Sequence, residues 1–189
     1  MSGKRWSTRW SGWAVPMCAL VLALPLERCA SATAAVGSAP SLRLTSSAFQ
    51  DGGTMPVVYT CDGAGHSPPL AWTGAPVGTA QFALLMTTLA LDGMKWNWVL
   101  YAIPAGTASL AESTSGVGTA GVSTDGPELR YYPPCSQGPG AKTYTFTLYT
   151  LSAAPSFGVP AAQVTGAVLT SAIAGITLDS ARIRVTYAR

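Results

Sequence analysis

Charge is scarce in this sequence, with 11 Lys and Arg and 8 Asp and Glu among 189 residues, against an apolar content of 48%. So few cations, none of them clustered, give no basic face, and nucleic acid is excluded as a partner on that ground. Histidine is rarer still, since His66 stands alone. One imidazole is too little for a zinc centre of about four donors. His66 lies in a Gly-His-Ser-Pro turn, and the serines it would activate, Ser67 or Ser136, sit in no nucleophile-elbow glycine pattern. It reads as an exposed turn histidine. With no catalytic motif and no carboxylate pair in any motif, the sequence points away from hydrolysis, and neither an enzyme nor a cofactor is expected.

A spanning segment is also missing. The apolar run over residues 13–26 is interrupted by Pro16 and Pro25, and it falls short of the roughly 18 to 20 residues that cross a bilayer. Preceded by Lys4, Arg5 and Arg9 and followed by Ala30-Ser31-Ala32, it reads as a secretory signal peptide cleaved after Ala32. Lipid attachment at Cys29 is the weaker alternative, because the preceding Leu-Glu-Arg places a charged pair where such a site tolerates none. The expected organisation is a signal peptide over 1–32, a small-residue linker over 33–41 and one domain over 42–189. A secreted or periplasmic location follows, with no stable membrane insertion after cleavage. Lys4, Arg5, Arg9, Arg28 and Glu27 leave with the leader, so the remainder balances seven basic against seven acidic residues. Its cysteines are Cys61 and Cys135. Export makes oxidation available to them, and a Cys61–Cys135 disulfide is expected, two free buried thiols being the alternative.

The remaining chain is rich in strand patterns. Residues 42–49 alternate well enough for a first strand, and 80–88 and 96–103 are apolar runs of strand length bounded by Gly and Pro. Residues 143–151 set Tyr144, Phe146, Leu148 and Leu151 against a series of threonines, the period-two mark of a half-buried strand. The segment just before it, with Pro133, Pro134, Pro139, Gly138 and Gly140, cannot be helix or central strand and reads as a rigid, shaped rim. Residues 106–126, rich in Gly, Ser, Thr and Ala, read as a long surface loop. Over 160–176 the period becomes helical, with Pro160 suited to a start and Gly175 to an end. Residues 178–187 close the chain as a strand with Arg182 and Arg184 on a wet face. Many strands and one clear helix predict a mainly β fold, an antiparallel β-sandwich with one C-terminal amphipathic helix.

Four ordered motifs carry a resemblance. Thr60-Cys61-Asp62-Gly63 with Ser67-Pro68-Pro69-Leu70-Ala71-Trp72, then Ala75-Pro76-Val77-Gly78-Thr79, then Trp98-Val99-Leu100-Tyr101-Ala102-Ile103-Pro104, then Pro134-Cys135 leading to Tyr144-Thr145-Phe146, resemble the bacterial Raf-kinase-inhibitor-like branch of the phosphatidylethanolamine-binding family. The resemblance implies a β-sandwich with a small pocket at one end for anions such as the phosphate of a phospholipid head group. It also implies that the pocket has been rebuilt. Asn97 occupies the position of one family histidine and Lys142 that of the other. The family's Asp-Pro-Asp segment falls near Thr87-Thr88-Leu89, or one or two residues later, and carries no carboxylate. Asp92 is a displaced substitute only if the Asp92-Gly93 pair does more than form a turn. The candidate lining is therefore Thr87, Leu89, Asn97, Pro134, Lys142 and Tyr144. Period two puts Trp96 and Trp98 on the face opposite Asn97. The expected function is a non-enzymatic binding protein for a small anionic or polar ligand. The alternative is a protein-interaction or protease-inhibitor module acting through the loops over 106–126 and 131–140.

Overall fold

A computed structural model describes residues 41–189, so the signal-peptide and lipid-attachment expectations lie outside the described residues. In chain order the elements are β1 (Arg43–Thr45), β2 (Gly53–Thr54), β3 (Leu70–Thr73), β4 (Gln81–Ala90), β5 (Gly93–Pro104), β6 (Ser109–Leu110), β7 (Thr119–Ala120), β8 (Lys142–Leu151), α1 (Gly166–Ile173) and β9 (Thr177–Tyr187). β1, β3 and β6 form a small sheet, and a large one runs β2-β9-β8-β4-β5-β7. Every pairing is antiparallel except that of β2 with β9. This is the expected mainly β sandwich.

The alternation in β8 decides how the layers stack. Phe146 lies between Met86 and Ile183, and Leu148 between Leu84 and Ala181, on the face turned to the small sheet. There they meet Leu44, Leu70 and Trp72 in the larger core. Burying each such side chain stabilises by about 1.5–3 kcal/mol. On the other face Ala83, Leu85, Val99 and Tyr101 pack with Val164, Leu169 and Ile173 in a second, smaller core. The result is three layers: small sheet, large sheet, helix.

Several expected boundaries move, for local reasons. The first strand is three residues instead of 42–49, because only Arg43, Leu44 and Thr45 find partners on β3. Residues 106–126 are not all surface loop: they contribute β6 and β7, and Leu110 is 2% exposed in the main core. The helix is shorter than 160–176. Pro160 opens only a 3-10 turn over Ala161–Gln163, and α1 begins where the Thr165 hydroxyl accepts the Val168 N–H. Leu151 does not share the face of Tyr144, Phe146 and Leu148: alternation through Tyr149 puts it in the helix-side core, while Thr150, on the main-core side, is buried with its hydroxyl donating to the Asp179 carbonyl.

Candidate binding pocket at the end of the sandwich

The site begins with one extra residue in β5. Met86 pairs with Trp98 and Thr87 with Trp96, so Asn97 has no counterpart on β4. This is a β-bulge, which re-aims side chains and frees backbone groups from the ladder. Trp96 and Trp98 consequently do not share a face. Trp98 packs in the main core edge-on to Tyr131, and Trp96 lies on the helix side. Asn97 is turned inward with Trp98 and is 5% exposed.

The backbone groups around the bulge bind two loops. The Trp96 N–H donates to the Thr124 hydroxyl, and the Trp96 carbonyl accepts from the Thr124 N–H and the Ser123 hydroxyl. The Asn97 carbonyl accepts the Tyr132 N–H at 2.9 Å. Those contacts bring Asp125 over the bulge, where the Asn97 Nδ2 donates to its Oδ2 at 2.5 Å. The amide orientation is thereby fixed, since a rotated Asn97 would set oxygen against carboxylate. Its Oδ1 is buried with no partner among the described residues. An orphaned acceptor of this kind costs about 1–3 kcal/mol unless a donor reaches it.

Around Asn97 is a cavity of about 530 Å³. Strands supply one wall: Thr88 and Ala90 from β4, Lys95 and Asn97 from β5, Lys142 and Tyr144 from β8. Loops supply the other, with Cys61, Asp125, Arg130, Tyr132, Pro133 and Cys135. Cys61 and Cys135 are disulfide bonded, their Cα atoms 5.2 Å apart, and the Cys61 N–H donates to the Pro134 carbonyl. The Tyr131 hydroxyl donates to the Tyr59 carbonyl at 2.8 Å, tying the rim to the interior.

The cations here are engaged to different degrees. Lys95 is paired with Asp92 at 2.6 Å, and that hydrogen bond holds the Asp92 carboxyl below its usual range. Arg130 lies over the Tyr132 ring at 4.1 Å and donates to the Tyr131 carbonyl. Lys142 donates to the Gln137 carbonyl at 2.8 Å, and among the described residues no carboxylate is within ion-pair distance of it. Burial, and then the nearby Asp125 charge, push the Tyr144 phenol up, with the Cys135 backbone and Thr88 opposing. Tyr144 is therefore neutral and able to donate at ordinary pH.

Of the six residues the sequence nominates, Asn97, Lys142 and Tyr144 meet in this cavity. Thr87 faces the other way, among Trp96, Thr145 and Arg184, because β4 alternates and the inward positions are Thr88 and Ala90. Leu89 shares the outward phase and is exposed. Pro134 is buried behind the rim, and Pro133 lines the cavity in its place. Asp92 does reach the mouth, as a turn residue paired to Lys95. Asp125, Arg130 and Tyr132 carry no sequence signal, lying in aperiodic loop. Lys95 and Thr88 follow from the alternation once the bulge is known.

His66 does not line this cavity. It meets Glu112 at 3.2 Å, while Glu112 also accepts from Tyr59. The Ser67 hydroxyl accepts the Thr114 N–H, so it serves the loop. Among the described residues no group of three or more His, Cys, Asp and Glu could hold a metal ion.

Comparison with known proteins agrees with the fold. The family model for phosphatidylethanolamine-binding protein matches residues 45–188. A Chlamydia muridarum protein of the UPF0098 group is 32% identical over 154 residues, covering 77% of this chain and 98% of the relative. A Mycobacterium tuberculosis protein described as "Putative lipoprotein LppC" is 34% identical over 147 residues, covering 74% of this chain and 73% of its own. Among solved structures, the phosphatidylethanolamine-binding protein homologue CT736 of Chlamydia trachomatis superposes with a TM-score of 0.72 at 28% identity, covering 79% of this chain and 99% of CT736.

Proposed function

This chain belongs to the phosphatidylethanolamine-binding protein family, and from that premise we propose that it is an exported, non-enzymatic binding protein whose pocket takes a small anion carrying a hydrogen-bond donor of its own. The observation that carries this reading is Asn97, which lines the same cavity as Lys142 and whose buried Oδ1 has no partner among the described residues. Lys142 and the neutral Tyr144 hydroxyl supply charge and hydrogen bonds to an anionic oxygen. Asn97 Oδ1, held in place by Asp125, accepts a hydrogen bond from the ligand's O–H or N–H. Inorganic phosphate satisfies both demands, because it retains an O–H at neutral pH. Sulfate satisfies only the first. A phosphate bearing an amino or hydroxyl group, as in a phospholipid head group, supplies the donor from its substituent.

Calorimetric titration with phosphate tests the reading. The oxidised protein binds weakly, and Lys142→Ala loses about 1–3 kcal/mol, the value of a charge-assisted hydrogen bond. Binding also fades as salt rises, since a partly exposed charge is screened over roughly 8–10 Å. Equal binding by Lys142→Ala and wild type removes Lys142 from the site.

Export is supported by the leader pattern and by resemblance to the relative described as "Putative lipoprotein LppC". Sequencing the mature N-terminus distinguishes a start at Thr33 from a lipid-modified Cys29. The protein-docking alternative has less to present. The loop over 131–140 is partly committed to the pocket wall through Tyr131, Tyr132 and Pro134.

A further inference from the structure

The helix covers only part of the outer face of the large sheet. Beyond it Thr87, Thr145 and Thr147 floor a groove of about 410 Å³, bounded by Met94 and Trp96 on one side and Arg182 and Arg184 on the other. Among the described residues no carboxylate lines it. Among the described residues neither arginine has an ion-pair partner. Asp51 is near, but its carboxylate accepts the Arg184 backbone N–H and not the guanidinium.

The groove runs out at the tip of the β4–β5 hairpin. There Leu89 pairs with Met94, and Leu91 sits in the turn. Their exposures are 72%, 47% and 107%. A two-residue turn ordinarily carries polar or glycine residues, whereas this tip gathers three exposed aliphatic side chains.

We propose that this hairpin tip and the adjoining arginine face dock the protein on an anionic lipid surface. Leu89, Leu91 and Met94 enter the boundary of the acyl region, Trp96 lies at head-group level, and Arg182 and Arg184 meet lipid phosphates. Charge decides the occupant: an arginine face free of carboxylates complements a polyanionic plane. The apolar part argues the same way, because three side chains fall far short of a protein interface of about 800 Å² per partner, while shallow insertion needs only a few. Ala90, Asp92 and Lys95, from the same hairpin, line the pocket mouth, so docking brings that mouth to the membrane. The inference does not depend on what the pocket binds.

Co-sedimentation of the oxidised protein with vesicles tests it. Equal parts phosphatidylglycerol and phosphatidylcholine bind the protein at low salt, and phosphatidylcholine alone binds it much less. Trp96 emission shifts to the blue on binding, and Trp96→Phe loses the shift. Arg182→Gln and Arg184→Gln each weaken partitioning about fivefold, and Leu89→Ser with Leu91→Ser weakens it about tenfold. All four positions are on the surface, so thermal unfolding of the variants stays near wild type. Absence of binding to the anionic vesicles, or binding indifferent to both pairs of substitutions, overturns the proposal. Phosphate titration of the same variants reports on the pocket separately, and its failure leaves the vesicle result intact.

Discussion

The two walls of the pocket are built by different physics. The strand wall takes its geometry from paired β4, β5 and β8, where Thr88, Lys95, Asn97, Lys142 and Tyr144 are fixed by register and by a single bulge. The loop wall has no ladder of its own. It is held by a disulfide, by the Tyr131 hydroxyl, and by the backbone groups the bulge leaves free. One wall is rigid because it is sheet. The other is rigid only because it is tied to the sheet at a few points, and each tie is a place where the two can be pulled apart.

The largest expected effect comes from cutting the covalent tie. Cys61→Ser with Cys135→Ser opens a link between positions 74 apart in sequence, which costs about 3–4 kcal/mol in urea denaturation. Phosphate affinity falls with it, because Cys61, Pro133 and Cys135 belong to the loop wall. If the variant unfolds outright, the oxidised protein titrated with and without reductant gives the same comparison.

The next effect is on the strand wall. A Cβ added at Gly166 would lie 1.9 Å from Trp96 Cδ1, so Gly166→Ala forces the indole off the helix and strains the bulge. Thermal melts should register about 1–3 kcal/mol, the range for overpacking. A loss of phosphate binding larger than the loss of stability would locate the damage in Asn97 rather than in the helix.

Smaller, and aimed at the contact between the walls, is Asp125→Ala. Without that carboxylate the Asn97 amide can turn and present Nδ2 to the cavity. The variant then gains a donor where the wild type has an acceptor, and its preference for phosphate over sulfate shrinks by about 1 kcal/mol. An unchanged preference would mean that Asp125 does not set the amide.

The slightest effect is alkaline. Burial leads the causes that raise Tyr59, Tyr131 and Tyr144 above the ordinary value of 10.0. The folded state favours their neutral forms, so this contribution is complete below about pH 10 and is lost as pH rises further. Spectrophotometric titration of tyrosinate should show late ionisation coinciding with unfolding.

The same contrast explains what was legible. Strands announce themselves, β8 and β9 by period and β4 and β5 as bounded apolar runs, so the sandwich is legible in the sequence, while the trio Asn97, Lys142 and Tyr144 is legible only through the family resemblance. A bulge has no period. Period two alone therefore puts Trp96 and Trp98 on one face, and the resemblance that nominates Thr87 and Leu89 does not carry the register that turns Thr88 and Ala90 to the pocket. Asp125 is 28 positions from Asn97 in a segment without alternation, and only its backbone bonds to the bulge bring it there. The shortened helix has a similar cause: Pro160 permits a helix, but Thr165 is the residue with an oxygen to cap one.

Side-by-side calorimetric titration of the oxidised protein with phosphate and with sulfate at neutral pH and equal ionic strength tests the pocket most directly. Asn97 Oδ1 demands a donor, so phosphate binds and sulfate binds at least about tenfold more weakly, a difference of roughly 1.4 kcal/mol. Equal affinity for the two anions, or a preference for sulfate, would contradict the account.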